Sequence, residues 1–431
     1  MGRIDTRRGG RIFATALAVA GIVVGPVAAP AMAEDTIRQQ QWHLDAMHAP
    51  EMWKISRGQG ITVAVIDGGF KLDHPDLAGQ FLPGKDFSGS PGGVGSFGDG
   101  HGTGIASLIA GTGSGMGGTG AQGLAPGVKI LPLKINNGSV GTLVSADFLD
   151  QIGQAVTYAV DQGAKVVNIS QGMDAALSSS ANVARLTSII AAARAKGVLV
   201  VSSVGNEAQK GNPVEYPGAL PGVVGVGAVG RDVVATDESE QGPQVVLAAP
   251  GVDMAGACTS STGYCKTHGT SDASALVSAS AALVWSVHKD WTANQVLRVL
   301  INTAGKPTDG SVHSVDVGYG TVRPRIALTD PGDPGPADVS PVPAATATPS
   351  AAPTPSATPS ATAVAPSASN APAAAPTPVP TSEPKAVDAS GGAGSTLPVV
   401  AAVVAGLVLV AGVVFVVVRR RKAAAGSDGG R

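Results

Sequence analysis

Five short runs rich in β-branched residues, "ITVAVID" (61–67), "VKILPLKI" (128–135), "AKVVNIS" (164–170), "VLVVSSVGN" (198–206) and "VVGVGAV" (223–229), alternate with helical stretches such as "FLDQIGQAVTYAVDQG" and "LTSIIAAARAKG". Strands that are apolar almost throughout must be covered on both faces, and the intervening helices supply the cover. The pattern predicts an open α/β fold of three layers with a mainly parallel sheet, spanning residues 60–330. Ligands of such folds sit beyond the carboxyl ends of the strands, so candidate chemistry is sought there.

Four side chains stand at such places. Asp67 ends the first strand in "VAVIDGGF", and a carboxylate at that point, followed by two glycines, is well placed to orient a partner in a cleft. His101 lies in "GDGHGTGIASLIAG", a glycine-rich bend running into a helix, where an imidazole has little local reason to be core. His268, close to Ser271 in sequence, is its one rival. Ser271 opens the helix "SDASALVSASAALVWSV". A serine there is commonly a helix cap, but a helix start also stabilises a developing anion. Asn206 follows the strand "VLVVSSVG", and its amide together with a helix-start N–H makes an oxyanion hole. Aspartate, histidine, asparagine and serine, each at a strand end or helix start of one sheet, form a set far less expected by chance than any one member.

The segments "VAVIDGG", "HGTGIASLIAG", "VVNISQG", "SVGN" with "YPG", and "HGTSDASA" resemble the motifs of subtilisin-like serine proteases. The chain order Asp, His, Ser is also that of subtilisin. The resemblance implies catalysis by Asp67, His101 and Ser271, an oxyanion hole of the Asn206 amide and the Ser271 N–H, and substrate pairing along Ser170, Gln171 and Gly172. It also places Glu207 and residues 212–217 around the main specificity pocket. Three positions depart from the usual pattern: Gly104 replaces a histidine outside the triad, Ala275 stands where proline is usual, and Asp272 puts a negative charge beside the nucleophile, where it favours a protonated His101. No cofactor motif and no metal-ligand cluster stands out. "GTGSGMGGTGAQG" (111–123) formally holds G-x-G-x-x-G, but it follows a helix and lacks the Lys-Ser/Thr of a P-loop, so it reads as a flexible surface loop beside the cleft.

The chain's ends suggest export and anchoring. Arg3, Arg7, Arg8 and Arg11 precede an apolar run and Ala31-Met32-Ala33, the form of a secretory signal with its cleavage site (1–33), the alternative being a membrane anchor. The uncharged stretch 397–418 would reach roughly 33 Å as a helix, enough for a hydrocarbon core of about 30 Å. Arg419, Arg420, Arg421 and Lys422 follow it, predicting one transmembrane helix, a basic cytoplasmic tail (419–431) and an extracytoplasmic catalytic domain at the cell membrane. "LPVVA" is not a sortase LPxTG signal. Residues 331–396, Pro, Ala, Thr and Ser in the main, form a disordered linker whose polyproline character lets it reach up to roughly 200 Å.

Cys258 and Cys265, the only cysteines, are close together in the exported region. They read as one disulfide worth roughly 2–3 kcal/mol on the chain-entropy model, the alternative being two buried thiols. Residues 34–59 are too few for a folded inhibitory prodomain and read as an extension packed on the catalytic domain, with Trp42, Met47 and Met52 as anchors. This extension, the cysteine loop, the linker and the anchor together resemble mycosins, membrane-anchored subtilisin-like proteases associated with type VII secretion. That resemblance implies peptide or protein substrates and the secretion machinery as partners. A formal net charge of −2 gives no basic surplus for nucleic-acid binding. A structural role in a secretion complex, with proteolysis weak or dispensable, is the competing reading.

Overall fold

The computed structural model describes residues 36–136 and 147–343. The signal segment, most of the linker, the anchor and the tail read from the sequence lie outside the described residues. Among the described residues, no helix is long and apolar enough to cross a membrane.

Seven strands form the central sheet: β1 (Thr62–Asp67), β2 (Lys85–Asp86), β3 (Lys129–Lys134), β4 (Val166–Ile169), β5 (Leu199–Ser203), β6 (Val224–Val229) and β7 (Val245–Pro250). They lie in the order β2-β3-β1-β4-β5-β6-β7, every neighbouring pair parallel. Strands β2 and β7 are additions to the five expected from the sequence. Two residues are too few to show a period, and the run of β7 ends in a proline.

The pleat sends alternate residues of each strand to opposite faces. Val63 and Val65 of β1 join one core cluster, with Ile105 and Leu108 of α1 (His101–Ala110). Ala64 and Ile66 join the other, with Phe148 and Ile152 of α2 (Phe148–Asp161) and Leu186 and Ile190 of α3 (Ser180–Ala195). The first cluster is completed by α4 (Thr270–Val287) and α5 (Ala293–Thr303). Helix α4 buries every residue from Asp272 to Trp285, an alanine- and serine-rich run that lets the helix lie close against the sheet. The result is a parallel sheet between two helical layers, with β4 at its centre and β1 beside it.

Residues 36–56 add three short helices on this body. Leu44, Met47 and Met52 are buried members of the first cluster, with Trp42 packed against it. The Gln41 amide donates to the Gln122 and Ala255 carbonyls, and the Trp42 Nε1–H donates to the Val252 carbonyl at 2.8 Å. Cys258 and Cys265 are joined in a disulfide, Cα to Cα 5.8 Å, across the hairpin of Met254–Ala257 and Tyr264–Thr267.

One expectation is corrected. The glycine-rich loop 111–123 is organised around the fully buried Asp76, whose carboxylate accepts the Gly115 and Ala121 N–H groups at 2.6 and 2.9 Å. Its glycines bring backbone up to that carboxylate, where a Cβ at Gly120 would collide with it. None of its residues is among those lining the cleft that holds Ser271.

Candidate active site

Strand β1 lies between β3 and β4, so the chain leaves it toward both sides of the sheet and a crevice opens at its carboxyl end. Asp67 ends β1, and Ser170 and Gln171 follow β4 directly across from it. Helix α1 starts at His101, helix α4 starts one residue before Ser271, and Asn206 follows β5. His101, Ser170, Gln171, Gly172, Asn206 and Ser271 line one cleft of about 280 Å³, with Asp99, Ser203, Gly205, Glu207 and Glu215.

Asp67 is fully buried, and its carboxylate oxygens lie 3.0 and 2.9 Å from His101 Nδ1. An ionised carboxylate only accepts, so Nδ1 carries the proton and Nε2 is left as the basic nitrogen. Asp67 Oδ1 also accepts from the Gly68 N–H at 2.7 Å and from Gln171 Nε2 at 3.1 Å. The His101 backbone N–H donates to Asp99 Oδ1 at 3.0 Å, which satisfies one of the N–H groups left without a partner at the start of α1. Burial pushes the His101 imidazolium down, but the Asp67 carboxylate, helped by Asp272 and Asp99, outweighs it and raises the group to about 9.

Ser271 is not a helix cap. That place belongs to Gly269, at φ 125°, a left-handed region that favours glycine, and a Cβ there would also crowd the Asn206 amide. The Ser271 hydroxyl donates to the Ser170 carbonyl at 3.1 Å. Beneath it, Ser274 Oγ donates to the Ser271 carbonyl, Asn168 Nδ2 donates to Ser170 Oγ, and Ser278 Oγ donates to Asn168 Oδ1, each at 2.8 Å. These bonds fix the first turns of α4 to the end of β4, and hence the direction in which Ser271 faces the cleft.

Asn206 Oδ1 accepts the Thr270 N–H at 2.9 Å and the Thr270 hydroxyl at 3.0 Å. With the oxygen tied down, its Nδ2 is the free donor end of the side chain. The Ser271 N–H is among the four at a helix start that have no partner within the helix. His268, the rival histidine, is instead 69% exposed and pairs with Glu238, Nδ1 to Oε1 2.8 Å, which raises its pKa.

Sequence reading missed the Gln171 side chain, which bridges toward the Asp67–His101 pair, and the Asn168–Ser278 network. Serines scattered along an alanine-rich helix give no signal until the helix is docked. It also missed Glu240, which the chain brings from a loop to the Gly205 backbone, its N–H donating to the Gly205 carbonyl at 3.1 Å.

The subtilase family profile matches residues 58–322, more than half of the chain. The chain belongs to the subtilase family. Thermitase of Thermoactinomyces vulgaris is 31% identical over 269 residues, 62% of this chain and 89% of that enzyme. Among solved structures, MycP1 from Mycobacterium smegmatis is similar with a TM-score of 0.60 at 27% identity, covering 72% of this chain and 89% of that one. A chain in the periplasmic assembly from the ESX-5 inner membrane complex gives a TM-score of 0.60 at 27% identity, with 70% and 86% covered. The subtilase is thus a subtilisin-like serine endopeptidase, and its resemblance to the mycosins extends from motifs to structure.

Proposed function

We propose that this subtilase is an extracytoplasmic, membrane-anchored endopeptidase of a type VII secretion system, cleaving secreted proteins with an Asp67–His101–Ser271 triad. The observation that carries the reading is the buried Asp67–His101 pair in the same cleft as Ser271 at the start of α4. Ser271 Oγ attacks the peptide carbonyl carbon while His101 Nε2 takes its proton, and the same proton then goes to the leaving amine. Asp67 holds the imidazole tautomer and stabilises the imidazolium. Asn206 Nδ2 and the Ser271 N–H receive the oxyanion. The Ser271 hydroxyl, bonded to the Ser170 carbonyl in this arrangement, turns about χ1 to meet Nε2, an adjustment common on forming the Michaelis complex. Similarity to MycP1, described as an essential component of the type VII (ESX-1) secretion system, supports the cellular setting, as do the apolar and basic segments of residues 397–431.

The test is labelling of the full-length protein in membranes with a fluorophosphonate probe, beside Ser271→Ala and His101→Ala. Labelling of the wild type alone supports the triad; equal labelling of Ser271→Ala excludes it. Similarity to a chain of the ESX-5 periplasmic assembly favours a second reading, a scaffold within a secretion complex. Restored secretion when Ser271→Ala complements a deletion selects the scaffold, and failed secretion with normal protein levels selects proteolysis.

The acidic residues around His101 give a further expectation. Asp272 is almost fully buried, which raises its carboxyl to about 6, and its charge raises His101 in turn. Above pH 6 that charge is present and opposes loss of the imidazolium proton. In Asp272→Asn the acid limb of kcat/KM, which reports the free enzyme's base, is expected to move down by about 0.5–1 pH unit. An unmoved limb rules out this coupling.

A further inference from the structure

Beside Ser271 the cleft carries more carboxylates than the triad accounts for. Glu207 and Glu215 line it directly. Glu215 lies on the short strand Glu215–Tyr216, paired antiparallel with Met173–Asp174, just beyond the Ser170–Gly172 segment. Across from it, Gly172 has no side chain, and a Cβ there would collide with Glu215 Oε2. Gly205 is a second bare position in the wall, and a Cβ there would collide with both carboxylate oxygens of Glu240. At each glycine the space of a side chain is taken by a carboxylate, so that Glu215 lies against Gly172 in the cleft and Glu240 directly behind Gly205 in its wall.

Glu240 is fully buried, and neither of its carboxylate oxygens has a hydrogen-bond partner. The Glu207 backbone N–H approaches it without completing a bond. Burial pushes Glu240 up to about 8, with Glu215 the next cause, and burial pushes Glu215 up to about 7, with Glu207 and Asp174 behind it. Each carboxylate therefore resists ionisation by its neighbours. Lys210 pairs with Glu207 at the surface, His101 in the same cleft pairs with Asp67, and among the described residues no Lys, Arg or His pairs with Glu215 or Glu240. A buried acid without a partner is a costly feature unless a partner arrives from outside. Among the described residues, no group of three His, Cys, Asp or Glu side chains is placed to hold a metal ion, so a cationic side chain fits better than a divalent cation.

We infer that this pocket selects a lysine or arginine on the acyl side of the scissile bond (the P1 residue), with Glu215 contacting the cation and Glu240 reinforcing it across Gly205. The inference rests on the proteolytic reading above. An ammonium or guanidinium entering between Gly172 and Gly205 favours the ionised carboxylates and satisfies groups that the free enzyme leaves unpaired. An apolar side chain of equal length leaves them desolvated and unpaired, so the selectivity arises as much from rejection as from attraction. The carboxylates are specificity residues and take no part in proton transfer to Ser271.

Peptidyl diphenyl phosphonates differing only in the P1 residue, lysine against norleucine, measure this at Ser271 without requiring turnover. On full-length wild-type protein in membranes, the lysine probe is expected to label at least about thirtyfold faster, the lower end of what a desolvated charge pair is worth when one partner is removed. In Glu215→Gln the ratio is expected to fall at least tenfold, and in Glu240→Gln to fall by less. Equal or faster labelling by norleucine, dependent on Ser271, overturns the inference while leaving the protease reading standing. A lysine preference unchanged in both variants also overturns it, because the cation is then held elsewhere. No labelling by either phosphonate or by a small fluorophosphonate overturns the protease reading, and this inference with it.

Discussion

Replacement of Ser271 by alanine is expected to lower kcat by about 10⁶-fold, the loss known for the nucleophile of subtilisin, a member of the same family. The expected size follows from the roles proposed above for the three groups. Without the hydroxyl no acyl-enzyme forms, and neither the base nor the carboxylate behind it has a proton to move. His101→Ala is then expected to cost about as much, and the double variant no more than either single one, because residues that act as a unit do not add. The fold should tolerate Ser271→Ala. Among the described residues the hydroxyl's hydrogen bond goes to the Ser170 carbonyl and lies at the cleft, whereas the bonds fixing α4 run through the Ser271 carbonyl, Ser274, Asn168 and Ser278. Turnover of a peptide substrate measured beside a thermal melt checks both parts. A variant that melts normally and keeps more than about a hundredth of wild-type turnover would place the nucleophile elsewhere.

The parallel sheet and the strand-end positions were legible in the sequence because both rest on local patterns. Runs such as "VAVID" and "VVNIS" are apolar on both faces, and the residue ending or following each falls by geometry at the carboxyl edge of the sheet. Asp67, His101, Asn206 and Ser271 were picked out on that basis and from the family motifs, and the structure places them at strand ends and helix starts around one cleft. Features made by distant contacts were not legible. Gln171 was read for its backbone, yet its side chain reaches Asp67, 104 residues away in sequence. Glu240 sits in a polar loop and shows nothing unusual until its burial behind Gly205 is known. The loop 111–123 was misread for a related reason. Its glycines signal freedom locally, but they serve a close approach to Asp76, which the sequence places far away.

Asp67→Asn is expected to lower kcat by about 10⁴-fold with little change in KM, the size seen when a triad aspartate is made an amide. The surrounding bonds determine how the amide will sit. Oδ1 of Asp67 accepts from the Gly68 N–H at 2.7 Å and from Gln171 Nε2 at 3.1 Å, so the amide oxygen of the variant must take that place. The amide nitrogen then falls at the Oδ2 position, 2.9 Å from His101 Nδ1. Because that nitrogen can only donate, Nδ1 must accept, and the proton moves to Nε2. The imidazole now presents an N–H to Ser271 where a lone pair is needed. A factor of 10⁴ corresponds to about 5.4 kcal/mol of transition-state stabilisation, a reasonable loss for a base in the wrong tautomer. Removing the carboxylate also removes the principal cause that raises His101, so its pKa should fall from about 9. The acid limb of kcat/KM in the variant should move to lower pH while the plateau stays low. Asp67→Ala leaves Nδ1 free of an imposed donor and should therefore be less impaired than Asp67→Asn. If the alanine variant is instead the slower of the two, holding the imidazole in place matters more than its tautomer, and Gln171 and the α1 backbone do not orient it without a side chain at position 67.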